Sequence, residues 1–310
     1  MPHITVAVCC YNGAQWLPTL LPALQSLSCP IAFRVLVIDN NSTDGSATIV
    51  QRIAAESTIP IDTVSEPQQG IPYARNRALT EAMRTSDYLA FIDVDEIPNE
   101  NWLCAAVDAL TKDDAECVGG RISVLLPQQR HPDWLIDEVL AFYGLLDHAD
   151  EPFWIDSDAT PVWSGNVAYQ LALFADGLRF DERYNRAGDG IGGGSDGIMF
   201  QTLLERGARI RYRPDMLIEH RVEDWKVSQS YFAKLHFIAG RKQGEFQTPL
   251  PGRTLCGIAP YMVRQSLRQA GRTMAMYLRR DAYRVRQLMN LTHSVGVLIG
   301  RVRRWRRGDS

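Results

Sequence analysis

The chain has 310 residues, 45% hydrophobic and 22% charged, ordinary globular usage that excludes disordered, collagen-like and disulfide-scaffold classes. Its net charge of −3 conceals a division: residues 253–310 hold 13 Arg against Asp281 and Asp309, a net of +11, which leaves 20 basic and 34 acidic residues, a net of −14, in 1–252. An acidic body carrying a basic tail is the first indication of function. The six cysteines (Cys9, Cys10, Cys29, Cys104, Cys117 and Cys256) show no CxxC spacing, as expected for reduced thiols in a cytosolic protein. The opening MPHITVAVCC reads directly as a strand, without a basic region or cleavage pattern, so no signal peptide is expected. No apolar stretch reaches the ~18 residues of a membrane-spanning helix.

In chain order, residues 4–9 are a β-branched run and 16–27 have helical spacing. Residues 33–39 (FRVLVID) are continuously apolar and end in a carboxylate; 41–44 are turn formers, and 45–55 follow as a helix. A short strand over 59–64, a helix over 73–83 entered through Pro72, and a strand over 88–93 (YLAFID) complete the first half. Near-continuous apolar strands separated by helices predict a mainly parallel sheet covered on both faces. Ligands of such sheets bind beyond the carboxyl ends of the strands, where Asp39 and Asp93 fall. Residues 118–125 read as a strand. The stretch 131–163 is irregular and aromatic, its rings suited to stacking on a ligand or to plain packing. Residues 188–197 hold six glycines and predict a tightly turned loop, followed by a helix over 198–206 and strands over 209–213 and 216–220. From about 226 the pattern is helical. Val263, Leu267, Ala270, Met274 and Tyr277 form an apolar stripe beside Arg264, Arg268 and Arg272. Val295, Leu298, Ile299, Val302 and Trp305 form another beside Arg301, Arg303, Arg304, Arg306 and Arg307.

The strongest chemical signal is Asp93-Val94-Asp95, followed by Glu96, at the end of a buried-type strand. Carboxylates this close repel and favour a cation; hard Mg²⁺ and Mn²⁺ take oxygen ligands and share them with phosphates. Asp39 is placed to accept from a nucleobase N–H, and Asp44 to cap the helix behind it. No GxGxxG follows the first strand and no GxxxxGK[ST] occurs, which removes the main support for dinucleotide oxidoreductases and P-loop NTPases.

Taken together, residues 7–13 (AVCCYNG), 37–46 (VIDNNSTDGS), 70–78 (GIPYARNRA) and 91–96 (FIDVDE) resemble the family-2 glycosyltransferases of the GT-A fold, over roughly residues 3–222, and in particular bacterial exopolysaccharide and succinoglycan-type enzymes. The resemblance implies an α/β fold: a GT-A, Rossmann-like, mixed and mainly parallel sheet flanked by helices, with a C-terminal helical extension. It implies a catalytic domain over 1–225, with a nucleotide-sugar half (1–98) and an acceptor half (99–225), and a basic amphipathic helical tail over 226–310. By the same resemblance Tyr11, Asp39, Asp44, Arg75 and Asp93 contact the donor, while Asp95 and His220 hold Mn²⁺ or Mg²⁺. The family's base lies in a Glu-Asp pair after a glycine-rich loop. Here Ser195 stands for the Glu and Asp196 is the candidate base, with Asp189 a competitor in the same loop. Asp196 could equally be the cap of the following helix. Gly165 and Asn166 of the WSGN turn (163–166) are candidates for approaching and donating to a ligand.

The implied reaction is inverting, metal-dependent transfer of a sugar from a nucleotide diphosphate, a UDP-hexose, to a glycan or polyprenyl-linked hydroxyl in cell-surface polysaccharide synthesis. Arg stripes beside apolar strips suit an anionic membrane more than nucleic acid, so a peripheral position on the inner face of the cytoplasmic membrane is expected. The tail packing on the acidic body is the other reading of the charge division. Two other classes stay open: a catalytically impaired scaffold relative, suggested by Ser195, and a sugar-nucleotide pyrophosphorylase, whose glycine- and lysine-bearing N-terminal loop has no counterpart here.

Overall fold

The computed structural model describes residues 2–127, 132–185, 194–247 and 254–308. They form two compact units, one from the described parts of 1–125, 143–189 and 194–221, the other from those of 126–142 and 222–310. The larger unit contains strands β1 (His3–Cys10), β2 (Ala32–Asp39), β3 (Ile61–Ser65), β4 (Tyr88–Asp93), β5 (Glu96–Pro98), β6 (Cys117–Leu125), β7 (Phe153–Ile155), β8 (Asn166–Gln170) and β9 (Ile210–Arg221). Its helices are α1 (Leu17–Gln25), α2 (Ser46–Ala55), α3 (Ile71–Ala82), α4 (Trp102–Thr111) and α6 (Ser195–Glu205).

The strands join in one sheet of order β3-β2-β1-β4-β8-β6-β9-β5, with β7 paired to β9. The first four are parallel, and β8 enters antiparallel between β4 and β6. Ile4, Thr5, Val6, Ala7 and Val8 are all fully buried, as a central strand covered on both faces requires. At the edge of the sheet, β3 is largely exposed and accordingly carries Asp62, Thr63 and Ser65.

Two local expectations change. The segments 209–213 and 216–220 are one twelve-residue strand, β9, not two. Its pairing with β6 slips between Gly120 and Ile122, and Pro214 sits in that irregularity, where a residue lacking an N–H removes no ladder bond. Asn166, expected to donate to a ligand, is fully buried. Its Nδ2 donates to the carbonyls of Arg121 (2.8 Å) and Met216 (2.9 Å), while Oδ1 accepts from Trp102 Nε1 (2.7 Å). Every strong bond it can make is directed inward, so it cross-links α4, β6, β8 and β9.

The smaller unit holds α5 (Asp137–Leu140), α7 (Gln229–Phe246), α8 (Pro260–Leu278) and α9 (Arg284–Arg307). Trp134 packs edge-to-face on Phe232 at 5.9 Å, so this aromatic is core. Helices α7 and α9 approach through glycines four apart on each. A Cβ at Gly240 would lie 2.1 Å from the His293 carbonyl, and one at Gly244 2.3 Å from that of Val297. Reciprocally, a Cβ at Gly296 would lie 2.2 Å from the Phe237 carbonyl and one at Gly300 2.1 Å from that of Arg241. Only hydrogen fits between these backbones. Gly244→Leu is therefore expected to cost about 3 kcal/mol or more by forcing the helices apart. Gly271→Ala, where a Cβ meets no heavy atom within 4 Å among the described residues, should stabilise α8 by about 0.5–1 kcal/mol. Urea unfolding of the two variants reads both signs.

In the same unit, burial pushes the imidazole of His236 down to about 4, assisted by Arg286 and His293. Its ring lies edge-on to Phe142 at 4.6 Å. Between about pH 6.5 and 4 an unfolded histidine takes up a proton that this one refuses. The penalty for burying this histidine is therefore absent above pH 6.5 and grows as the pH falls towards 4. The loss between pH 7.5 and 5 is expected to be on the order of 2 kcal/mol, and His236→Phe should flatten it in urea midpoints at the two pH values.

Candidate active site

The register of the parallel strands sets the site. Cys10 of β1 pairs with Asp39 of β2, and Cys9 with Asp93 of β4, so the two carboxylates flank the end of β1. Two strand spacings separate them by about 10 Å, room for a nucleoside. The chain runs outward from β1 to β3 and then crosses back to β4, which makes the carboxyl end of β1 the switch point of the sheet.

Arg75 lies on the inner face of α3, among Ala74, Ala78 and Leu79, where periodicity would place an apolar residue. It is 1% exposed. Its Nη1 bonds to Asp196 Oδ1, its Nη2 lies 3.3 Å from Asp93 Oδ1, and its guanidinium stands 5.6 Å from the centre of the Phe180 ring. Burial opposes the charge, but Asp196 and Asp93 outweigh it and raise the guanidinium pKa. Arg75 Nε is buried without a hydrogen-bond partner among the described residues. Asp196 lies in the first turn of α6, whose cap residue is Gly194, so Asp196 is not the cap. Ser195 Oγ lies 3.2 Å from Asp196 Oδ1 and donates to it. Asp189 lies outside the described residues.

At the end of β4 the chain turns through Val94 and Asp95 into β5, whose Glu96 pairs with His220 of β9. This brings His220 Nε2 within 3.3 Å of Asp95 Oδ2. The other ring nitrogen, Nδ1, faces the Tyr143 carbonyl at 2.5 Å and donates to it, which leaves Nε2 an acceptor in the neutral ring. An acceptor nitrogen beside a carboxylate oxygen, with the ring oriented from behind by a carbonyl, is a donor set that fits Mn²⁺ or Mg²⁺. Among the described residues no group of three or more His, Cys, Asp or Glu side chains is arranged for a metal. Two protein ligands suit an ion whose remaining positions go to water and phosphate oxygens.

On the opposite side of the switch point, two loops are laced together. Asn12 Oδ1 accepts from Thr43 N (2.8 Å), Asp44 Oδ2 from Ala14 N (2.9 Å), and Asp44 Oδ1 from Ser46 N (3.1 Å). Asp44 thus braces both the loop after β1 and the start of α2. Asp39 accepts from Ser42 N at 3.2 Å, and Tyr11 is half-buried in the same loop.

The sequence profile described as glycosyl transferase family 2 matches residues 5–174, more than half of the chain. The chain belongs to glycosyl transferase family 2. It is 25% identical over 249 residues to the succinoglycan biosynthesis protein ExoM of Rhizobium meliloti, covering 78% of this chain and 74% of ExoM. It is 28% identical to the pre-mycofactocin glycosyltransferase of Mycobacterium tuberculosis, covering 74% of this chain but 46% of that protein, so it spans under half the length of some curated relatives. Among solved structures, the Pyrobaculum calidifontis mannosyltransferase PcManGT in complex with GDP-Man and Mn²⁺ aligns with a TM-score of 0.60 at 18% identity, over 96% of this chain and 87% of that one. The Staphylococcus aureus TarS fragment in complex with UDP-GlcNAc aligns with a TM-score of 0.54 at 17% identity, over 78% of this chain and 66% of that one. These likenesses place the chain in the GT-A fold.

Some residues of this family-2 site carry no sequence signal. Asn40 is buried and bridges three backbone groups, donating to the Glu66 (3.0 Å) and Gln68 (2.7 Å) carbonyls and accepting from Gly70 N (2.6 Å). Asn185 Nδ2 donates to the Gln69 carbonyl at 3.0 Å, pinning the chain just before the glycine-rich loop. Cys9 lines the site, but burial pushes its thiol up to about 12, so it stays protonated at neutral pH. Gly165 does allow a close approach, to carboxylates of the protein itself: a Cβ there would lie 2.6 Å from Glu96 Oε1 and 3.1 Å from Asp93 Oδ2.

Glu96 is 5% exposed and accepts from Asp93 N at 2.7 Å. Burial first, then the charges of Asp93 and Asp95, push its carboxyl well above the usual carboxylate range. It braces the end of β4 through the Asp93 N–H. Glu96→Gln, which keeps an acceptor oxygen for that N–H, is expected to change stability by less than about 1 kcal/mol, whereas Glu96→Ala, which orphans it, should cost about 1–3 kcal/mol. Paired urea melts measure both.

Proposed function

We propose that this glycosyltransferase moves a hexose from UDP to a hydroxyl of a glycan or polyprenyl-linked acceptor in cell-surface polysaccharide synthesis, with inversion at the anomeric carbon and with a divalent cation. The observation that carries the reading is the convergence of Asp93, Asp95, Asp196, Arg75 and His220, drawn from four separate elements, at the carboxyl end of β4. Asp39 accepts from the nucleobase N–H at the end of β2, with Tyr11 and Asp44 shaping the same side, and Asp93 binds the ribose. Asp95 and His220 hold Mn²⁺ or Mg²⁺, which when bound neutralises the departing diphosphate. Asp196 takes the proton from the acceptor hydroxyl as its oxygen attacks the anomeric carbon. The new C–O bond forms as the bond to the diphosphate breaks on the opposite face. Arg75 orients Asp196 and Asp93 together, so that base and donor site share one anchor.

Ser195 supports this reading. It donates to Asp196, so the departure from the family's Glu leaves the candidate base with a partner. Family membership leaves the pyrophosphorylase alternative without support. The ExoM likeness and the name it carries favour an exopolysaccharide acceptor, and the basic C-terminal helices favour an acceptor held at an anionic, cytoplasmic-side lipid surface. Among the described residues no helix is long and apolar enough to cross a membrane.

A panel of UDP-, GDP- and dTDP-sugars with and without Mn²⁺, read by nucleotide release, is expected to show UDP-hexose turnover abolished by EDTA. Asp196→Asn should lower kcat by about 10²–10⁴-fold with little change in donor affinity. Product with retained anomeric configuration by NMR overturns the single displacement. Failure to turn over any donor with metal present supports the scaffold alternative.

A further inference from the structure

Helix α8 is mounted with its apolar side outward. Val263, Leu267, Ala270, Met274 and Leu278 recur every three or four residues, one stripe along nineteen residues and about 28 Å of helix. Leu267 and Met274 are each 69% exposed and Leu278 is 81% exposed. The inner side is mixed: Ser266 and Thr273 are buried, Met262 and Met276 are half-buried, Gln269 is bonded to Gln287 of α9, and the Tyr277 hydroxyl donates to Gln229 Oε1 of α7 at 2.7 Å. Helix α9 differs in degree: its Gly296 and Gly300 face is consumed against α7, and of its apolar stripe Ile299 (38%) and Trp305 (48%) are exposed, less than Leu267, Met274 and Leu278 of α8.

The charge beside the stripe indicates what covers it. Arg264, Arg268, Arg272 and Arg279 lie along the adjacent exposed face, Arg280 follows, and residues 254–280 contain no Asp or Glu. Two such stripes from two copies would set arginine against arginine with no acid between them. A nucleic-acid backbone would satisfy the arginines and leave the leucines in water. An anionic bilayer interface satisfies both, taking the apolar side chains below the headgroups while the arginine stems reach up to phosphate.

We propose that α8 is an interfacial helix that seats the enzyme on anionic lipid through Val263, Leu267, Met274 and Leu278, with Arg264, Arg268 and Arg272 on headgroup phosphates. The inference rests on the lipid-held acceptor proposed above and names the surface that meets the lipid, which sequence periodicity alone divided between two segments.

The test is flotation of the full chain with neutral phosphatidylcholine vesicles and with vesicles containing phosphatidylglycerol, without donor. Binding is expected to the anionic vesicles only. It should weaken about fivefold for each arginine removed in Arg264→Ser, Arg268→Ser and Arg272→Ser, and be lost in Leu267→Asp/Met274→Asp. Circular dichroism checks that the variants fold. Should the aspartate pair unfold, Leu267→Gln/Met274→Gln serves instead, and hydrogen exchange of the unmodified enzyme should show new protection in α8 on anionic vesicles. Equal binding to neutral vesicles, or no binding to either, overturns the proposal. So does loss of binding on substituting Arg303 and Arg306 of α9 while the α8 variants bind normally, although a membrane-seated enzyme would survive that result. A lipid-free dimer dissolved by Leu267→Asp would make a second copy the occupant and also overturn it. Turnover of donor with a soluble acceptor, assayed in the same variants, keeps failure of the transferase reading separate.

Discussion

Arg75 is a buried cation whose two carboxylate partners come from distant parts of the chain, Asp93 at the end of β4 and Asp196 in the first turn of α6. A guanidinium removed from water is tolerable only when its charge is matched locally and its geometry held. The requirement runs both ways. Without Arg75, two carboxylates would face each other near a third, Asp95, beside Glu96, whose carboxyl is already pushed up by burial and by the charges of Asp93 and Asp95. The arginine fork therefore decides how close strand end and helix start can stand, and the rest of the site is built around that distance.

Supporting contacts follow the same economy of polar groups. Asn166 spends both ends on backbone and on Trp102, locking the sheet behind the site. Asn40 and Asn185 hold the chain before α3 from two sides, at Gly70 and Gln69, so the segment leading to Arg75 has little freedom. Gly165 leaves space for Glu96 and Asp93 to lie against the WSGN turn. Asp93, Asp95 and Asp196 gather around one arginine, with His220 Nε2 3.3 Å from Asp95 Oδ2. At the metal site proposed above, a cation would offset those charges.

The helical unit obeys a different rule. Where α7 and α9 meet at their glycines, there is no room for a Cβ; α8 turns Val263, Leu267, Met274 and Leu278 outward. A helix packed this way keeps its hydrophobic stripe available at the surface. The +11 of the tail is thus not spread evenly in function: part of it borders α8's exposed stripe, and part lies on a helix whose inner face is already used.

Much of the fold and part of the site were legible in residue order. Apolar runs ending in acid announced β2 and β4, because a strand buried on both faces has no other reason to finish in a carboxylate than to face solvent or ligand. Motif order announced family 2. What periodicity could not see was long-range pairing. Nothing local shows that Arg75 bridges Asp93 and Asp196, that Asn166 is bonded to backbone and Trp102, that β9 is one strand, or that the two amphipathic stripes of the tail differ. Local sequence determined which segments are strands and helices and where carboxylates fall along them, since burial and spacing act over neighbours. The tertiary structure alone decided which charges meet, which glycines let backbones touch and which apolar face stays in water, because each depends on residues many positions apart.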